Sequence, residues 1–312
     1  MISMMVRGGH AQSHASAASD GQDQGSYQFS VDVDLVVLPV TVRDRQGQHV
    51  SDLRESDFKI YEDRVPQAIR LFQHEDIPVI AGLLVDHSGS MRPKIAEVIA
   101  GARAFVRSSN PEDRMFVVNF NEGVSLGLPD AIGFTANADA LERAIWQAPA
   151  VGETALYDAI VTALGRFEEA SRAKKVLVVI SDGADNASAH SLAQVLQMAE
   201  RSSAIIYTVG LFAPDDRDAN PKVLSRLAQA TGGEAFFPGQ FSEVAKICER
   251  IARDIRNQYT IGYVSTNAKR DGIYRAVRVD AQAPGHGRLW VRTRPGYIAG
   301  AQLSRPKDGD EK

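Results

Sequence analysis

The stretch "LLVDHSGSM", residues 83–91, joins an apolar run to a closely spaced set of oxygen-bearing side chains. The run ends at Asp86, and Ser88 and Ser90 follow at alternate positions before a segment with helical spacing begins. In parallel α/β sheets, ligands bind beyond the carboxyl ends of the strands. If residues 83–86 form a buried strand, the polar side chains lie at its carboxyl end, and the sequence predicts a binding site there.

Strand-like and amphipathic helical segments alternate through the middle of the chain, which is the pattern of a parallel sheet. We predict strands at 78–86, 114–120, 174–181 and 204–211, and a short edge pair near 123–135. Predicted helices lie at 93–108, 137–147, 154–170, 191–202, 221–231 and 241–258. The predicted fold is α/β, with a doubly wound, mostly parallel, Rossmann-like sheet flanked by helices.

The segments on either side of this region show the two-residue alternation of β-strands. A lone hairpin is marginally stable in water, so we expect the two segments to pair in one small, β-sandwich-like domain built from both chain ends. The predicted division is a disordered or residual signal tail (1–26), an N-terminal β segment (27–76), the α/β domain (77–258), a C-terminal β segment (259–299) and a disordered tail (300–312).

Composition excludes several classes of protein. The 312 residues include 35 basic and 39 acidic side chains, a balance that does not favour nucleic acid or an anionic membrane surface as partner. The single cysteine, Cys248, excludes an internal disulfide and a cysteine-based zinc site, and its helical spacing predicts a buried thiol. No apolar run reaches the ~20 residues of a transmembrane helix.

The N-terminal tail is polar and of low complexity. Its Ala-Gln-Ser and Ala-Ser-Ala pieces, within residues 11–18, resemble the end of a secretory signal, but the apolar segment that should precede them is missing. Two interpretations stay open, a signal that begins upstream or a tail that is simply disordered. Export would suit a binding module, so we expect an extracytoplasmic location, periplasmic or secreted, with a cytoplasmic one as the alternative.

Two further oxygen-bearing residues are expected at the same edge of the sheet. Asp182 follows a second apolar run in "VLVVISDGADNAS", and Thr154 lies in "VGETALYDA" just before a predicted helix. Together with Asp86, Ser88 and Ser90 they offer two carboxylates and three hydroxyls, without imidazole or thiolate. Such donors suit a hard divalent cation, Mg²⁺ or Mn²⁺. The plain alternative is that Asp and Ser only cap the turns and helices that follow the strands.

The order and spacing of Asp86, Ser88, Ser90, Thr154 and Asp182 resemble the metal-ion-dependent adhesion site (MIDAS) of von Willebrand factor type A domains. The resemblance covers about residues 77–258. The flanking "VSDLRESDFKIYEDRVPQAI" and "YTIGYVSTNAKRDGIYRAVRV" are similar to a bacterial subgroup of these proteins known best from Acidobacteria.

The resemblance implies that Ser88, Ser90 and Thr154 bind the metal directly, whereas Asp86 and Asp182 act largely through coordinated water. It also implies a partner protein whose Asp or Glu carboxylate completes the Mg²⁺ octahedron. We expect the rim that contacts this partner to include His87, Glu153, Asp185 and Asn186. The sequence departs from the family at Glu153, where many members have a second glycine before the threonine; this glutamate could occupy the open coordination position.

A binding module is not the only function compatible with this site. A metal-dependent hydrolase or phosphotransferase could use Asp86 as nucleophile, but phosphoryl transfer also needs a general base and cationic clamps. The nearby loops offer only Arg92 and Lys94 as cations, so we expect no catalytic residues. In a third interpretation, the metal is a structural staple and the flanking β domain does the binding.

Overall fold

The computed structural model describes residues 35–300, except 75, 147, 170–173, 214–215 and 217. Both predicted tails, 1–26 and the part of 300–312 beyond Gly300, lie outside the described residues. The strands are β1 Leu35–Arg43, β2 Phe58–Glu62, β3 Val65–Gln67, β4 Ile69–Gln73, β5 Val79–Asp86, β6 Arg114–Phe120, β7 Val124–Leu126, β8 Lys174–Ser181, β9 Ile205–Gly210, β10 Ala235–Phe236, β11 Tyr259–Val264, β12 Tyr274–Ala281, β13 Trp290–Arg292 and β14 Gly296–Ile298. The α-helices are α1 Ile95–Ser108, α2 Ala138–Trp146, α3 Leu156–Arg166, α4 Leu192–Arg201, α5 Pro221–Thr231 and α6 Val244–Arg256.

The larger sheet has the strand order β10-β9-β8-β5-β6-β7, parallel except for the antiparallel edge strand β7. Helix α1 packs against α2 and α6, and α4 packs against α3 and α5. Every residue of β9 and of the stretch 176–181 in β8 is buried, which requires cover on both faces of the sheet. The predicted α/β fold class is confirmed.

Three helices, α1, α3 and α6, begin two or three residues later than predicted. Residues 89–94 form a 3-10 helix that contains Pro93, and α1 starts only at Ile95. Proline has no N–H and disfavours the α conformation in the residue before it, which accounts for the delay. Helix α3 starts at Leu156, so Thr154 precedes the helix. Cys248 in α6 is buried as predicted, and burial raises the pKa of its thiol to about 12.

The chain ends form two four-stranded sheets, with the orders β13-β1-β11-β4 and β14-β12-β2-β3. Strand β1 pairs antiparallel with β11, and β2 pairs antiparallel with β12, so each sheet combines both ends of the chain. Their inward side chains share a second hydrophobic core, which includes Leu38, Phe58, Tyr259 and Val279. The expected β unit built from both ends is therefore present; its exact boundaries stay a prediction.

The β unit contacts the α/β domain through arginines that reach the carboxyl ends of helices. Arg292 Nη1 donates to the carbonyl oxygen of Gly232, which caps α5, at 2.6 Å. Arg294 Nη2 donates to the Glu200 carbonyl oxygen in the last turn of α4, also at 2.6 Å. These carbonyls carry the negative end of the helix dipole, so a cation is favourable there. The contacts lie at the amino edge of the larger sheet, opposite the end of β5.

Asp254 in α6 is the most connected side chain of this interface. Its carboxylate is fully buried and accepts hydrogen bonds from Arg43 at 2.8 Å, from the Tyr207 hydroxyl at 2.5 Å and from Arg292. Burial alone would raise the pKa of Asp254, but Arg292, Tyr207 and Arg43 outweigh it and keep the pKa below its ordinary value. One carboxylate thus joins β1, β13, β9 and α6.

None of the helices in the described part of the chain has the length and apolar character needed to span a membrane.

We expect Asp254→Asn to lower the free energy of unfolding by about 3–5 kcal/mol, because it removes the fully buried counter-charge of Arg43 and Arg292 and leaves them only the partly exposed Glu234. Urea unfolding measures the loss. Asp280→Asn is the matched control, since Asp280 pairs with Arg278 at 3.2 Å and both side chains are more than half exposed. The control should change stability by no more than about 0.5 kcal/mol. Equal losses in the two variants would contradict the role given to Asp254.

Candidate metal centre

Asp86 ends β5, a central strand of the larger sheet, and its carboxylate is fully buried. Oδ1 accepts a hydrogen bond from the backbone N–H of Ser88 at 2.8 Å, which turns the chain sharply after the strand. Oδ2 accepts one from the Ser181 hydroxyl at 2.6 Å. Ser181, which immediately precedes Asp182, is not among the residues predicted for the site. Asp86 is thus fixed by its own loop and by β8.

Ser88, Ser90 and Asp182 form a continuous chain of polar contacts. The two serine hydroxyl oxygens are 3.1 Å apart, and the Ser90 hydroxyl donates to Asp182 Oδ2 at 2.6 Å. Asp182 Oδ1 accepts from the backbone N–H of Ala184 at 3.1 Å. The loop after β5 and the loop after β8, 92 residues apart in sequence, therefore meet at one point of the carboxyl edge.

Backbone hydrogen bonds fix the segment before α3, residues 151–155. The N–H of Val151 donates to the His87 carbonyl at 2.9 Å, and the N–H of Gly89 donates to the Gly152 carbonyl at 3.1 Å. The N–H of Ala155 donates to the Asn121 carbonyl at 2.6 Å. These bonds bring the segment beside the Asp86 loop.

Gly152 has a positive φ of +81°, a conformation that favours glycine. A Cβ added there would lie 1.6 Å from Glu122 Oε2. Thr154, two residues on, is 3% exposed, and its hydroxyl makes no hydrogen bond within the described part of the chain.

The loop after Asp182 caps the first turn of α3. Asn186 Oδ1 accepts from the N–H of Thr154 at 2.7 Å, and Asp185 Oδ1 accepts from the N–H of Tyr157 at 3.0 Å. The Ser188 hydroxyl accepts from the N–H of Asp158 at 3.1 Å. These bonds satisfy N–H groups that have no partner inside the helix. Asp185 and Asn186, predicted at the partner-binding rim, therefore also hold α3 and Thr154.

His87 lies elsewhere than predicted. Only 1% of the residue is exposed, so it cannot contact a partner at the rim in this arrangement. Asn119 Nδ2 donates to the Ala144 carbonyl, which leaves Asn119 Oδ1 as the acceptor for His87 Nε2 at 3.2 Å. Burial lowers the pKa of His87. Alternate side chains of an extended segment point to opposite sides, so His87 turns away from Asp86 and Ser88.

Glu153 is exposed, and its backbone N–H donates to Glu122 Oε2 at 3.1 Å. Its side chain forms no ion pair or hydrogen bond with any described residue. The structure therefore gives no contact that would direct this carboxylate toward Ser88 or Ser90. Whether it competes for a coordination position stays a prediction.

The donors fit a hard divalent cation better than a soft one. The five residues bring two carboxylates and three hydroxyls to one edge of the sheet, whereas His87, the nearest imidazole in sequence, is turned into the interior. Among the described residues, no three His, Cys, Asp or Glu side chains could together hold a metal ion. Hydroxyl groups and water would therefore have to complete any coordination sphere here, as is usual for Mg²⁺.

Residues 82–184 match the family model of the von Willebrand factor type A domain, and this span contains all five predicted metal ligands. The predicted resemblance to this family is therefore confirmed for residues 82–184. A comparison with curated proteins finds no match. The similarity of the flanks to the acidobacterial subgroup stays a prediction.

Solved structures share the fold at low sequence identity. A von Willebrand factor type A protein from Catenulispora acidiphila is 15% identical, with 86% of this chain and 75% of that chain covered, and a TM-score of 0.53. Proximal thread matrix protein 1 from the mussel byssus, described with a zinc-occupied MIDAS motif, is 15% identical over 61% of this chain and 48% of that chain, with a TM-score of 0.50. At such identities the likeness shows the fold alone.

Burial, opposed in part by the Ser181 and Ser88 hydrogen bonds, raises the pKa of Asp86 from 3.8 to about 6. Its contribution to stability is therefore fully present below pH 3.8 and is lost as the pH rises through about 6. With chelator present, we expect the wild type to become less stable relative to Asp86→Asn between pH 4 and pH 7, by about 2–3 kcal/mol. Urea unfolding across this range tests it. If the difference in unfolding free energy between the wild type and Asp86→Asn does not change with pH, the raised pKa of Asp86 is contradicted.

Proposed function

We propose that the protein is a divalent-cation-dependent protein-binding module, similar in action to an adhesion domain. Ser88, Ser90 and Thr154 would hold Mg²⁺ or Mn²⁺ directly, with Asp86 and Asp182 behind them. When bound, the ion would supply an open coordination position that an Asp or Glu carboxylate of a partner protein completes. The observation that carries the proposal is the contact chain Ser88–Ser90–Asp182 at the carboxyl edge of the sheet.

The hydrogen bonds and ion pairs of the nearby cationic side chains favour binding over catalysis. Lys94 is fully buried, donates to the Leu211 carbonyl at 2.9 Å and pairs with Asp216 at 2.5 Å. Arg92 Nε donates to the Ala150 carbonyl at 3.2 Å. Both cations are thus engaged with the protein itself, whereas a phosphotransferase would direct them at the phosphoryl oxygens. A metal-dependent hydrolase or phosphotransferase therefore stays the alternative function.

We propose an extracytoplasmic location as well. The support for it is the signal-like composition of residues 11–18, and export also fits an adhesion-like module. Fractionation of cells that express the protein from its own gene tests this proposal, and recovery in the cytoplasm alone would overturn it.

Metal binding is tested by thermal unfolding in chelator, in MgCl₂ and in MnCl₂. For a dissociation constant of about 1 mM, ~10 mM metal stabilises the folded protein by about 1.4 kcal/mol. This corresponds to a rise in Tm of about 2–4 °C. We expect the rise in the wild type and its loss in Ser90→Ala and Asp182→Asn. Ser202→Ala, which removes a hydrogen bond to the Ala199 carbonyl far from the site, is the control and should keep it.

Partner recognition is tested by selecting a displayed random peptide library on the wild type in MnCl₂. We expect the enriched peptides to contain Asp or Glu, and to lose binding when that residue becomes Asn or Gln, when chelator is added, or on Ser90→Ala. Peptides that bind equally in chelator would contradict a shared ion. Metal-dependent stability without any metal-dependent peptide would instead favour the structural staple.

A further inference from the structure

Asn186 has two connections that its predicted position at the rim does not explain. Its side-chain Oδ1 accepts from the N–H of Thr154 at 2.7 Å, and its backbone N–H donates to the Thr154 carbonyl at 3.0 Å. The N–H of Ala187 donates to the same carbonyl at 3.0 Å. Both polar backbone groups of Thr154 are therefore held by one short segment that begins four residues after Asp182.

From this geometry we infer that Asn186 is a positioning residue, which fixes Thr154 relative to the Asp182 loop and so sets the metal affinity of the site. The inference rests on the proposed function and adds to that function a residue that positions Thr154. Among the described residues, the hydrogen bonds of Asn186 reach no proposed metal ligand other than Thr154. Any effect of Asn186 on the metal must therefore pass through Thr154.

Thr154 depends on this contact because helix α3 does not place it. The helix begins only at Leu156, and the residue that precedes the helix, Ala155, has no side chain that could cap it. The N–H of Thr154 finds its acceptor 32 positions further along the chain, in the Asn186 side chain. Without that acceptor, the N–H is left unsatisfied at a residue that is 3% exposed, and an unpaired buried donor is unfavourable.

The same loop is joined to α3 by several further hydrogen bonds. Asp185 and Ser188 accept from N–H groups in the first turn of α3, and Asp158 in that turn accepts from the N–H groups of Ala189 and His190 at 2.9 and 3.0 Å. Hydrogen bonds thus run in both directions between the loop and the helix. Asn186 is nevertheless exposed, so a partner that contacts it would act directly on the residue that holds Thr154.

Isothermal titration with MnCl₂ and with MgCl₂, on the full chain, tests the inference. We expect Asn186→Ala to weaken metal binding by at least about tenfold, the range found when groups behind metal ligands are removed. Asn186→Asp keeps an accepting oxygen for the Thr154 N–H and should bind metal at least as tightly as the wild type. Asn186→Leu, which keeps a branched side chain of similar shape but has no accepting oxygen, should also bind weakly and serves if the alanine variant does not fold.

Ser191→Ala is the matched control for a merely structural effect. Ser191 caps α4 in the same loop and accepts from the N–H of Gln194, so its loss lowers Tm without touching Thr154. We expect its metal affinity to stay at the wild-type value. A double variant adds a second readout: in a Thr154→Ala background, Asn186→Ala should have no further effect on metal affinity.

The outcomes separate the inference from the function on which it rests. If the wild type binds neither metal, the proposed function fails and the inference fails with it. If the wild type binds and Asn186→Ala binds equally well, only the inference is overturned. It is also overturned if Ser191→Ala weakens binding as much, or if Asn186→Ala and Thr154→Ala have additive effects.

Discussion

The arrangement of the whole molecule depends on one buried carboxylate. Asp254 accepts hydrogen bonds from Arg43 and Arg292, which come from opposite ends of the chain, and from Tyr207 in the larger sheet. A buried charge is tolerated only when it is paired and fully hydrogen-bonded, so the three donors must all be in place for α6 to adopt its position. This requirement links folding of the β unit to folding of the α/β domain, although each has its own hydrophobic core.

The candidate metal centre is built in a different way, chiefly from backbone. Parallel strands bring Asp86 and Asp182 to one edge, and hydrogen bonds from the main chain of residues 151–155 bring Thr154 to the same place. Two side chains outside the five predicted ligands also hold them: the Ser181 hydroxyl donates to Asp86, and Asn186 accepts from the backbone N–H of Thr154. Such a site can keep its shape while the exposed residues around it vary.

The sequence predicts those features that depend on local pattern. The valine-rich run before Asp182 identifies a strand buried on both faces, and the strand's end then locates the carboxylate. The period-two alternation of side chains also predicts the orientation of His87, because it places that side chain on the side opposite Asp86. In contrast, the bond between Asn186 and Thr154 joins residues 32 positions apart, and no local periodicity encodes it. The delayed start of α1 follows from the single residue Pro93, which outweighs the helical spacing around it.

The β unit, docked at the amino edge, contains both ends of the described chain. Arg43, at one end of β1, contacts Asp254, whereas Leu35 lies eight residues back at the other end of that strand, roughly 27 Å away. Ala299 is likewise held inside the β unit, by a bond to the Ile273 carbonyl. Leu35 and Ala299 therefore both lie in the β unit, which contacts the amino edge of the larger sheet and leaves the Asp86 edge uncovered by these strands.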